Sequence, residues 1–169
     1  MKDLSIYLND HLAGSIGAVE MVRDLAERHE DKPLAQSLKT LCEDIEADQQ
    51  ELRRLMKALG IEESKIRSAG GWMAEKASRL KLRVTDFGEP NLALLQSLEI
   101  LSLGVIGKRQ LWQTLKSAIG PAARAAGLDL ARLDKRAAAQ FDCVKEEAFK
   151  VAREIFATEI RSAGESRDG

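Results

Sequence analysis

The chain has 169 residues, of which 44% are hydrophobic and 31% charged, enough apolar material for one well-buried core and too little length to favour two domains. Its 26 basic and 27 acidic side chains leave a formal charge of -1, which removes any whole-molecule field for nucleic acid or an anionic membrane. Aromatic residues make up 4% and there are three prolines, a composition suited to packed helices.

The start, Met1-Lys2-Asp3-Leu4, lacks the basic stretch and apolar run of a signal peptide, so a cytoplasmic location is expected. The most apolar stretch, 100–107, is interrupted by Ser102 and is too short to span a membrane. Cys42 and Cys143 fall within helical patterns and read as reduced thiols filling small core spaces.

From Leu4 to about Glu30, apolar residues at Leu8, Leu12, Ile16, Val19, Val22 and Ala26 have helical spacing and predict a first helix. His29 to Pro33 breaks it with a short turn, which makes the next helix an antiparallel neighbour with Pro33 in its first turn. The second helix, about Pro33 to Leu59, has the cleanest period: Leu34, Leu38, Leu41, Ile45, Asp48, Leu52, Leu55 and Leu59, apolar except for Asp48. Gly60 reads as its left-handed cap.

From 61 to 89 the pattern weakens into a connection holding Gly70-Gly71, Trp72 and a basic segment from Lys76 to Arg83. A link of that length can run the length of a bundle and start the third helix parallel to the second. The third helix, from Pro90 to about Ile119, carries Leu94, Leu98, Leu101, Val105, Lys108, Trp112, Leu115 and Ile119 on one stripe, with Lys108 as its single charge. Gly120-Pro121 is expected to stop it, and a helical turn to follow before Gly127. The fourth helix, about Asp129 to Thr158, has an apolar seam of Leu133, Ala137, Phe141, Val144, Ala148, Val151 and Ile155. One domain over 1–161 and a flexible polar tail over 162–169 complete the expected layout.

The order helix, tight turn, helix, long crossover, helix, helix resembles the ferritin-like superfamily, which includes ferritins, bacterioferritins and rubrerythrins. The run Tyr7 to Ser15, and Gly104-Val105-Ile106-Gly107-Lys108 followed by Leu111-Trp112, is similar to uncharacterised bacterial ferritin-like proteins. The resemblance implies an all-α, ferritin-like four-helix bundle with a long crossover between its second and third helices. Active members hold two metal ions with one glutamate on each of the first and third helices and a Glu-x-x-His on each of the second and fourth. The first-helix glutamate position falls near His11 or Ser15, and the second-helix pair is Asp48-x-x-Glu51. The third helix keeps Glu99, while Glu146 and Glu147 on the fourth are followed three residues later by Phe149 and Lys150. The only histidines, His11 and His29, precede residue 30, so the histidines of the motif are missing.

Two readings of the bundle centre follow. In one, Asp48, Glu51, Glu99 and Glu147, with His11 as the lone nitrogen ligand, form an atypical carboxylate-rich metal site of an oxidoreductase or storage protein. In the other, Lys108 supplies the positive charge a metal supplies in active relatives and pairs with Asp48, with His11, Ser15 or Ser102 completing the hydrogen bonds. A plainer alternative sends the Lys108 ammonium past the bundle edge to water.

The helix-interior glycine pairs Gly14/Gly17 and Gly104/Gly107 suggest close approach of two helices or of a second subunit, or an apolar slot for a ligand near Gly14 and Gly104. Trp72 and Trp112 read as core anchors, and the Lys76 to Arg83 run as a solvated linker face. Ser and Cys nucleophiles lack an oriented base, and no phosphate-cradling glycine motif is present. The expected protein is therefore a structural or interaction protein, more a scaffold than an enzyme. It has no catalytic residue, no cofactor and no metal, and it pairs as a homodimer through apolar residues off the main stripes such as Ile100, Leu103 and Leu111.

Overall fold

A computed structural model describes residues 1–64 and 90–165. These form four helices: α1 Lys2–Arg28, α2 Leu34–Ala58, α3 Pro90–Ala125 and α4 Leu130–Glu165, with no strand among the described residues. None of these helices is long and apolar enough to cross a membrane. Most of the expected crossover, including Trp72 and the Lys76 to Arg83 run, lies outside the described residues.

The local signals at the helix ends have identifiable chemistry. Gly60 (φ 67) ends α2 in a left-handed residue, with Ile61 N–H donating to the Met56 carbonyl and Gly60 N–H to that of Lys57. Gly127 (φ 78) ends α3 in the same way, its N–H bonded to Arg124 O and the Leu128 N–H to Ala123 O. Each motif buries the residue after the glycine, Ile61 or Leu128, against the last turn. Asp129 caps α4 by accepting from the Arg132 N–H at 3.0 Å.

One expected boundary holds and one moves. The regular helix from Pro90 breaks in a kink at Ile119 (φ -136, ψ 27), where Gly120-Pro121 is expected to stop it, and a short helical segment continues α3 to Ala125. The kink absorbs the hydrogen bond and clearance that proline denies, and Pro121 then sits in the first turn of the short segment beyond, where its missing N–H costs nothing. Ala123, fully buried, anchors that segment to the core. The fourth helix runs past the expected boundary at 161 as far as Glu165, a stretch whose alanine and glutamate favour helix.

The buried side chains fall into two apolar clusters, and these give the helix directions. One gathers Val22 and Leu25 from late α1, Leu38 and Leu41 from early α2, Leu94 and Leu98 from early α3, and Val144 and Val151 from late α4. The other gathers Leu8 and Leu12, Leu52 and Leu55, Trp112 and Leu115, and Leu133 and Ala137, the opposite halves of the same helices. Both α2 and α3 therefore begin at one end of the bundle, while α1 and α4 run the other way. Helix α1 packs on α2, and α3 packs on α4. Arg132 of α4 and Arg54 of α2 both bind Glu51, and Arg54 also donates to the Gly127 carbonyl at 3.1 Å, which fastens the second end.

Three expectations about packing change. A Cβ added at Gly104 or Gly107 would meet nothing within 4 Å, so these glycines do not serve close helix contact within the chain. Leu111 is buried at 2% exposure and belongs to the core, since it lies beside Trp112 on the inward arc of α3. Cys143 is exposed rather than a core filler, because it precedes the seam residue Val144 by one position and points off the stripe.

Candidate functional site

Between the two apolar clusters lies a polar layer. On α2 the seam passes Ile45, Asp48 and Leu52, and on α3 it passes Leu101, Val105 and Lys108, so parallel helices bring the two charged positions to similar depth. Asp48 is 3% exposed. Lys108 Nζ donates to its Oδ2 at 2.6 Å and also to Gln140 Oε1. Gln140 Nε2 donates to the same Oδ2 at 3.3 Å, and Arg136 donates to Oδ1 through Nε at 3.0 Å and through Nη2.

An ionised carboxylate offers about four acceptor sites. Asp48 has donors on all of them, which removes the penalty of an unsatisfied buried charge. Burial pushes the Lys108 ammonium below the ordinary lysine range; the adjacent Asp48 raises it, Arg136 lowers it further and Asp44 raises it again. Desolvation is the larger effect because the ammonium sits among apolar side chains with only 12% of its side chain exposed.

The expected hydrogen-bond partners of this pair are not the ones the structure uses. The Ser15 hydroxyl donates to Leu12 O at 2.6 Å and that of Ser102 to Leu98 O at 3.0 Å, each turned back into its own helix. His11 makes no hydrogen bond to the cluster and instead meets the Tyr7 ring edge-on at 4.7 Å. Burial holds the His11 imidazole below its usual value, against a smaller opposing effect of Asp10. Arg136 and Gln140 take the roles expected of these residues. They flank the seam residue Ala137, one turn apart on the face beside it. The small, fully buried Ala137 leaves room for both neighbours to turn inward, and that run of small residues between two long polar ones was the available signal.

The other residues named for a metal site do not converge. Glu51 is bound by Arg54 and Arg132. Glu99 is exposed. Glu147 accepts from Ser37 at 3.3 Å and from Lys150 at 2.9 Å. Among the described residues no three His, Cys, Asp or Glu side chains stand close enough to hold a metal ion. The donor set does not fit one either, because the buried carboxylate of Asp48 is occupied by two cations that repel a divalent ion.

A half-open cavity of about 80 Å³ adjoins the cluster between α1, α2 and α3. Its walls include His11, Gly14, Ser15 and Ala18 of α1, Asp48 and Leu52 of α2, and Gly104, Val105, Lys108 and Trp112 of α3. The space exists because the facing positions Gly14, Ser15, Ala18 and Gly104 carry little or no side chain. Trp112 is 1% exposed, and its indole N–H finds no acceptor among the described residues. No protein family, curated protein or solved structure matches the chain.

Proposed function

We propose that this chain is a ferritin-like four-helix bundle, crossed over between α2 and α3, in which a salt-bridged polar layer stands where active relatives hold metal. It works in the cytoplasm as a structural or interaction protein without a functional di-metal centre, and self-associates. One observation carries this reading: every acceptor position of Asp48 is engaged by Lys108, Arg136 and Gln140. The common direction of α2 and α3 supports the crossover, since the chain leaves α2 at one end of the bundle and enters α3 at the other.

Self-association is supported by the outer face of α3, where Leu103 is 68% and Ile106 39% exposed, with Ile100 half-buried beside them. Metal analysis of protein purified without chelators, and again after incubation with ferrous iron, manganese and zinc, tests the central claim. Substoichiometric metal in every case is the expected result. One or two equivalents bound per chain, lost on Asp48→Asn, would overturn it in favour of a carboxylate-rich metal centre.

A further inference from the structure

The cavity beside the polar layer brings an amine, a carboxylate and an imidazole to one apolar space. Lys108 and Asp48 both line it, with Lys108 Nζ 2.6 Å from Asp48 Oδ2. Their charges balance, so the space selects no ion, and much of the remaining wall is Ile45, Leu52, Leu101 and Val105. His11 lines it from α1 with an imidazole that makes no hydrogen bond among the described residues, and burial favours the neutral ring, which has one N–H to donate. Arg136 does not line the space but donates to Asp48 Oδ1 at 3.0 Å. The carboxylate therefore keeps a charged partner whenever Nζ gives up a proton, a loss that burial favours against the opposing pull of Asp48.

We propose that this cavity captures a short-chain aldehyde as an imine on Lys108, with Asp48 carrying protons and the His11 ring N–H holding the carbonyl oxygen. The proposal rests on the reading of Asp48 as a partner of Lys108 rather than of a metal ion, and adds a ligand class to it. Nζ passes one proton to Asp48 Oδ2, and its lone pair then forms a C–N bond to the carbonyl carbon. A second proton moves from nitrogen to the former carbonyl oxygen, Asp48 returns the first to the same oxygen, and the C–O bond breaks to release water. One N–H remains on a C=N bond that carries the positive charge. Ammonium and aldehyde thus become iminium and water, with no oxidant or reductant and no net change of charge. The pair with Asp48 survives the reaction, and the apolar walls disfavour the water that would reverse it. Size follows from the volume: ~150 Å³ holds the six heavy atoms of benzene in an engineered apolar cavity, so about 80 Å³ holds about three, the number in acetaldehyde.

Incubation of the full-length protein with acetaldehyde and cyanoborohydride, which reduces the iminium to a stable ethyl-lysine, tests this by peptide mass spectrometry. The exposed Lys39, Lys57 and Lys116 serve as internal standards. Lys108 should be ethylated faster than these by about tenfold or more, since a positioned proton carrier contributes about a hundredfold and burial of the amine takes back part of that. Benzaldehyde, too large for the space, should label the standards and not Lys108. Gly104→Leu grows a side chain from the cavity wall, at a position where an added Cβ meets nothing within 4 Å, and should slow labelling of Lys108 severalfold while leaving the standards unchanged. Labelling of Lys108 no faster than the standards, or as readily by benzaldehyde as by acetaldehyde, would overturn the inference. So would a Gly104→Leu protein with the parental circular dichroism spectrum and the full rate at Lys108. The comparison of the two aldehydes on the unsubstituted protein needs no variant to fold. Metal content measured on the same sample separates the two claims: stoichiometric metal overturns both, whereas metal-free protein with Lys108 unlabelled overturns the aldehyde site alone.

Discussion

Removing the carboxylate from the polar layer and removing one of its cations have very different consequences. Asp48→Asn leaves Lys108 and Arg136 facing each other in a largely dry layer, and should cost about 3–5 kcal/mol of unfolding free energy in urea titrations. Lys108→Met leaves Asp48 with Arg136 and Gln140 and removes a desolvated ammonium, so it should stay within about 1 kcal/mol of the parent. The reverse order of these two effects would mean that Lys108, and not Asp48, is the residue the layer is built around. His11 supplies a pH dependence with a definite sign. Its folded-state pKa lies below the ordinary value of 6.5, so the unfolded chain binds the proton more readily, and stability from this residue is lost as pH falls from about 6.5 toward the lowered value. His11→Gln should therefore flatten the acid limb of stability against pH below about 6.5. The legible part of the site at this scale was Asp48 and Lys108, because a lone charge on an otherwise apolar stripe stands out. Arg136 and Gln140 were hidden, since they lie beside a seam that is itself wholly apolar, and only the space left by Ala137 turns them inward.

Among the elements, the glycines divide by backbone conformation. Gly60 ends α2 at φ 67, where a Cβ is strained, so Gly60→Ala should destabilise by about 1 kcal/mol. Gly104 lies inside α3 with open space at its Cβ position, so Gly104→Ala should stabilise by about 0.5–1 kcal/mol through helix propensity and lost unfolded-state freedom. Paired thermal or denaturant unfolding of the two variants checks opposite signs for one chemical change. The caps show why some boundaries were readable and others not. Gly60 and Gly127 follow the last periodic residue and Asp129 precedes a run of good helix formers, which are local signals. Gly120-Pro121 carries the same local stop signal as a true terminus. It marks the break at Ile119, and the short segment beyond it is held because Ala123 and Leu128 find buried places there.

At the scale of the molecule, the proposed self-association places Leu103 and Ile106 of α3 against a second copy. Leu103→Asp should then shift sedimentation equilibrium toward monomer at concentrations where the parent is dimeric, with little change in far-ultraviolet circular dichroism, because Leu103 contributes nothing to the core. A parent protein that sediments as a monomer at high micromolar concentration would remove the basis for that face.

The all-helical class, the positions of the four helices and nearly all of their inward stripes were determined by the sequence alone, because a 3.6-residue period records which side of a helix avoids water, whatever lies opposite. What faces that side is a different matter. The identities of the residues that complete the shell of Asp48, Arg136 and Gln140 rather than His11, Ser15 or Ser102, were decided only by the tertiary structure. These depend on distances between residues far apart in the chain, and the period of any one helix contains no information about the side chains of another.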